Sequence, residues 1–260
     1  MRGVLFVLAA GCGAPEPPRC EGEGLFGLPD AATGLTSEQC APACPCGGET
    51  WSPPDYGPED VAALRAWTLL DPPASPESDP YVDPPSLPEV GPDAVCAVVP
   101  AGGGAYHLRD FPSTAAALAD GATPTHYGAC GLCSALADLA VYMERPDLTE
   151  PVRACGLANL LGGAEALLPC LEDLGFTRPC AWIWAYNTRH TQAACASECF
   201  AALEDPYHLP DGSLNPCLQC DEEISGPIFH AVAGRTRRNT GLPSSMCRPC
   251  TEVRPLVHAY

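Results

Sequence analysis

Six cysteines of this 260-residue chain fall into three C-x-x-C pairs, Cys130/Cys133, Cys217/Cys220 and Cys247/Cys250. Two thiols at that spacing can exchange with disulfides, grip a metal as one knuckle, or serve as scaffold. Cys130-Gly131-Leu132-Cys133 suits thiol–disulfide exchange best. It can open a helix running to Glu144, whose N-terminal field favours an attacking thiolate, and His126 lies just upstream. Against this, the approach from Gly121 to Gly128 does not read as the buried strand that a thioredoxin-like unit places before its cysteines. Cys217, Cys220, Cys247 and Cys250, with twenty-six residues between the pairs, have a spacing at which four thiolates can close a zinc tetrahedron. No pair is followed by histidine, which excludes c-type haem attachment by its own signature.

Three further constellations could carry chemistry. Arg235, Arg237 and Arg238 form the basic cluster of an acidic protein, and guanidinium forks match sulfate, phosphate or carboxylate. If 227–239 is one helix, the same arginines instead complement its C-terminal dipole. Asp211, Ser213, Asn215 and Glu222 follow a calcium-loop spacing, but Pro216 stands where that loop needs glycine, and Asn215 reads equally well as a helix cap. Trp182, Trp184 and His190 could line a pocket, although aromatics on a long helix are more often core. Nucleophile-elbow, zinc-protease and Walker patterns are all missing from the sequence.

The compartment weighs on all these readings. Arg2, the apolar run from Gly3 to Ala10, and small residues directly before Cys12 resemble a bacterial lipoprotein signal with its lipobox. That resemblance covers the first twelve residues only. It implies cleavage before Cys12, a lipid on its sulfur and attachment to a membrane through that lipid, at the outer membrane, in the periplasm or on the cell surface. An ordinary secretory signal cut nearby also suits these residues. Seventeen cysteines less Cys12 leave sixteen, an even number, and an exported chain carries such cysteines into disulfides. All three C-x-x-C pairs are therefore expected to be oxidised, with no cofactor unless zinc holds the last two.

Composition removes other functions. Thirteen basic residues, every one arginine, face thirty-two acids. A chain without lysine has no Schiff base, P-loop lysine or Ser-Lys dyad. A net charge of −19 repels nucleic acid and anionic headgroups.

The elements that must position these residues are punctuated by proline. Residues 1–11 read as the signal, and 12–57 as a tether and loop-rich segment holding Cys20, Cys40, Cys44 and Cys46. Residues 58–70 read as a helix, and 71–93, with eight prolines and six acids, as an extended linker. Residues 94–260 form the main domain. Four cysteines precede the linker and twelve follow, so the parity predicts that no disulfide crosses it. Val95–Val99 and Tyr106–Phe111 read as a hairpin. Helices are expected over 133–144, 149–155 with Gly156 as stop, 163–174, 179–204, from Pro216 and from Pro227. Cys195 and Cys199 share a helix face and should each reach a neighbouring element. The expected class is mainly α: a disulfide-rich helical domain with a small β-hairpin, behind a loop-rich cysteine-containing segment. The expected role is an exported, membrane-anchored binding or structural module meeting a protein or small ligand, with a thiol–disulfide oxidoreductase or a zinc-binding module as the alternatives.

Overall fold

The structure, a computed structural model, describes residues 19–260. Cys12 and the residues that resemble a signal lie outside them. The class is mixed rather than mainly α, with 38% helix, 15% strand and three sheets. The underestimate has a physical cause. Most strands are two or three residues long and pair with distant partners, so no local alternation announces them.

In chain order the strands are β1 (Leu25–Phe26), β2 (Cys40–Ala41), β3 (Cys44–Cys46), β4 (Glu49–Trp51), β5 (Thr68–Leu69), β6 (Val95–Gly102), β7 (Ala105–Phe111), β8 (Thr123–Tyr127) and β9 (Arg248–Pro249). The helices are α1 (Pro58–Ala66), α2 (Thr114–Ala119), α3 (Leu136–Glu144), α4 (Thr149–Ala158), α5 (Leu168–Asp173), α6 (Arg178–Ala194), α7 (Ala196–Ala201), α8 (Pro216–Cys220), α9 (Gly226–Ala233) and α10 (Arg237–Thr240). A π-turn, Asp221–Ser225, joins α8 to α9.

The expected hairpin is the centre of a four-stranded sheet ordered β5-β7-β6-β8. Gly102, Gly103 and Gly104 turn it in the left-handed region, where glycine pays no steric cost. β8 occupies the stretch that does not read as a buried strand, and it is largely buried. Its Pro124 lacks an N–H, but β8 lies at the sheet edge, where the missing donor is tolerated. The expected helix over 58–70 ends at Ala66, and Thr68 and Leu69 leave it to pair parallel with β7.

Helices build the rest. Asn215 caps α8 by accepting from Leu218 N at 2.9 Å, as a proline-led helix invites. Gly156 is not a stop but an interior residue of α4. A Cβ there would stand 2.8 Å from Thr188 Cγ2, so the bare backbone lets α4 press onto α6. The single helix expected over 179–204 is two, broken at Cys195. The main core joins α1, α3, α4, α5, α6 and α9 around Leu136, Leu139, Leu168, Leu171 and Ile183, all fully buried.

Eight disulfides pair all sixteen cysteines of the described residues. Their connectivity overturns the parity argument. Cys40 bonds Cys247 and Cys44 bonds Cys250, so the early segment is stapled to the chain's end across the proline-rich stretch. β1 seals the junction by pairing with β9. The proline stretch itself docks through Tyr81, whose ring stacks on His190 at 4.2 Å and whose hydroxyl donates to Asn187 Oδ1 at 2.6 Å.

Candidate functional site

The sequence-predicted sites disperse in the fold. Cys130 and Cys133 do not pair with each other: Cys130 bonds Cys96 on β6, and Cys133 bonds Cys180 on α6. A dithiol engine would require breaking both. Asp110 sits beside the first bond and accepts from Cys130 N at 2.6 Å. Cys96, Asp110 and Cys130 are close enough to suggest a metal, yet the two sulfurs are spent on each other. Cys217, Cys220, Cys247 and Cys250 likewise have their sulfurs in four different disulfides, with Cys199, Cys195, Cys40 and Cys44, and so present no thiolates to zinc. Cys195 and Cys199 each reach a neighbouring element as expected.

The arginine cluster splits three ways because the expected helix over 227–239 ends at Ala233. Gly234 then turns the chain with φ +73°, against backbone so close that a Cβ would meet Gly131 N at 2.6 Å. Arg235, fully buried, donates to Thr125 O and Oγ1, Cys133 O and Ser134 O at 2.7–2.9 Å. It staples β8 to the start of α3 and offers nothing to a ligand. Arg237 and Arg238 face elsewhere, into a cavity. The calcium-loop residues also disperse: Asp211 accepts from Ser213, Asn215 caps α8, and Glu222 binds arginines.

That cavity, about 310 Å³, lies between α4, α6, α7, α9 and the π-turn. Packing explains its existence. Short helices broken at Cys195 and at the π-turn cannot interdigitate along their lengths, and disulfides hold them apart at fixed separations: Cys155–Cys170, Cys195–Cys220 and Cys199–Cys217. One wall is apolar, from Leu148, Val152, Leu218 and Phe229. Its lip is apolar and exposed, with Leu157, Leu160, Phe200 and Leu203 at 40–64% accessibility. Large apolar side chains left in water around an opening are a feature of binding mouths.

The opposite wall is charged. Glu222, on the π-turn, accepts from Arg238 Nη2 at 2.8 Å and from Arg248, with His230 Nε2 at 4.0 Å. Burial pushes the Glu222 carboxyl up, but Arg248 and Arg238 outweigh it and hold it below the usual range. Burial, aided by Arg238, drives His230 down to about 4, so its ring is neutral. Asp221 accepts from Thr191 and from Asn187 at 3.2 Å, and burial raises its pKa. Arg237 donates to three backbone carbonyls, of Tyr142, Pro243 and Arg145, with burial bringing it down to about 10. Four of the chain's thirteen arginines line this one cavity, against two carboxylates. Sequence reading missed Arg248 and placed Glu222 only in a calcium-loop spacing. Arg248 sits unremarked inside the last C-x-x-C, and only the Cys40–Cys247 and Cys44–Cys250 bonds carry it to the cavity.

A family of unknown function (DUF8771) matches residues 164–255, the stretch running from just before α5 through β9. This stretch holds the charged wall and most of the cavity. Neither a curated protein nor a solved structure matches the chain. Among the described residues no helix is long and apolar enough to cross a membrane.

Proposed function

We propose that this chain is an exported binding module, tethered to a bacterial membrane by a lipid on Cys12, that holds a small molecule with a substantial apolar part in the cavity between α4, α6 and α7. The observation that carries this reading is the cavity's exposed apolar lip, which water should have closed unless the opening is used. Eight disulfides fit a chain maturing in oxidising surroundings. They also supply rigidity, so that the site is formed before a ligand arrives and little ordering entropy is lost on binding.

The test is equilibrium titration of the disulfide-intact protein with a neutral apolar fluorescent dye, N-phenyl-1-naphthylamine. Saturable one-to-one binding is expected. Val152→Trp, which fills the floor of the cavity, should abolish it while leaving the fold intact by circular dichroism. Absence of saturable binding to the native protein refutes the reading, as does undiminished binding by the filled variant.

A further inference from the structure

The charged wall narrows the ligand class, given that the cavity binds small molecules at all. In a protein of net charge −19, arginine would be expected to spread among the acids of the surface. Four of the thirteen instead converge on one opening. Two of them have donors to spare. Arg248 uses Nη2 on Glu222 and Met246 Sδ, which leaves Nε and Nη1 without a hydrogen-bond partner among the described residues. Arg238 uses both Nη atoms, on Glu252, Glu222 and His230 Nε2, and leaves Nε. The buried guanidinium nitrogens lacking any partner belong to Arg145 and Arg189, so the spare donors of Arg238 and Arg248 remain accessible.

Charge accounting points the same way. Arg153 is matched by Glu150 at 2.6 Å, and Arg238 by Glu252 at 2.6 Å. Glu222 then serves Arg248. Arg237 has three carbonyls and the face of Tyr142 but no carboxylate in salt-bridge contact, with Asp147 acting on it only from further off, and a buried cation so placed favours a nearby anion. Asp221, the other acid, is turned toward Thr191 and Asn187.

We infer that the ligand is an amphipathic anion, an alkyl carboxylate in its simplest form, whose chain lies against Val152, Leu157 and Phe200 and whose head meets Arg248 and Arg238. Guanidinium forks suit a carboxylate bidentately, and a charge-assisted bond is about twice as strong as a neutral one. The inference rests on the cavity reading above, and its test separates the two.

Decanoate and decanol share a chain and differ in the head. At neutral pH, calorimetric titration of the native protein should show decanoate binding about tenfold more tightly or better, as one or two charge-assisted bonds imply. Arg248→Met and Arg238→Met should each shrink that ratio to about twofold, and Arg248→Lys, which keeps the charge but loses the fork, should fall between the native protein and Arg248→Met. The decanoate-to-decanol ratio within each variant cancels any general loosening of the cavity. Equal binding of the two, tighter binding of decanol, or an undiminished ratio in Arg248→Met overturns the anion seat. If neither binds while the neutral dye still does, the anion inference fails and the cavity reading stands. If the dye fails too, both fall.

Discussion

Replacing Asp138 by asparagine should stabilise this protein above neutral pH, against the usual cost of a core mutation. Asp138, in the first turn of α3, is fully buried and accepts from Thr177 N at 2.8 Å and Thr177 Oγ1 at 2.9 Å. Burial raises its pKa from 3.8 to about 7, against the opposing pull of the Thr177 bonds and of Arg235. A carboxyl whose folded pKa is raised holds its proton more tightly when folded. Its contribution is therefore favourable at low pH and is lost as pH rises from 3.8 to about 7. A shift of this size, at about 1.4 kcal/mol per unit, amounts to about 4 kcal/mol above pH 7. Of this, about 3 kcal/mol is lost between pH 5 and pH 8. Asparagine imitates the protonated acid: its carbonyl keeps the bond from Thr177 N, and its amide can donate to Thr177 Oγ1. Urea unfolding of the disulfide-intact wild type and Asp138→Asn, at pH 5, 6, 7 and 8, measures the difference directly. The expected result is a variant that gains on the wild type by about 3 kcal/mol across that range. A difference that does not change with pH refutes the reasoning, whatever its sign, because a mere packing effect has no proton to release.

Other outcomes follow from the same structure. Burial holds His126 and His258 down to about 3, so both stay neutral when folded. Their contribution is lost as pH falls from 6.5 toward 3, and Asp138→Asn should show this acid loss more steeply than wild type, since the opposing proton is gone; a variant flat between pH 6.5 and 4 contradicts it. Cys40–Cys247 and Cys44–Cys250 close nearly the same loop, with separations of 207 and 206 residues. Removing either alone should cost little of the loop-closure entropy, while removing both should cost about 5 kcal/mol in urea unfolding; additive losses would show that the bonds act through local packing. Cys12→Ser should shift the protein from the membrane fraction to the soluble fraction or block its processing, and an unchanged membrane fraction would count against the lipid anchor.

What sequence could reveal divides by the range of the interactions concerned. The hairpin was legible because β6 and β7 are neighbours joined by three glycines. The cap at Asn215 was legible because proline followed it. β8 was not, since Pro124 argues against a strand unless one knows that the strand is an edge. The break at Cys195 leaves no propensity signal either. It falls where the chain must turn so that Cys195 meets Cys220 and Cys199 meets Cys217. Arg235 shows the limit most plainly. Its neighbours Arg237 and Arg238 suggested one anion clamp, but its partners are carbonyls more than a hundred residues earlier, brought within reach by β8 and the turn into α3.

The cysteines connect these levels. Spacing identified pairs able to exchange electrons or hold a metal, and the fold gives each member a different partner. In no C-x-x-C do the two sulfurs bond each other: Cys130 and Cys133 reach β6 and α6, Cys217 and Cys220 reach α7 and the break before it, and Cys247 and Cys250 reach β2 and β3, so each pair clamps distant segments instead of closing a small ring. Two of these clamps border the cavity directly. The bonds of Cys217 and Cys220 fix α8 against the α6–α7 break, setting the lip, and those of Cys247 and Cys250 present Arg248 to the π-turn, completing the charged wall. Without them a short helical array would have less to keep its apolar lip open, since covering that lip is favourable. The chemistry of these cysteines is thus spent in folding, and what they leave behind is an opening with one apolar wall and one rich in arginine.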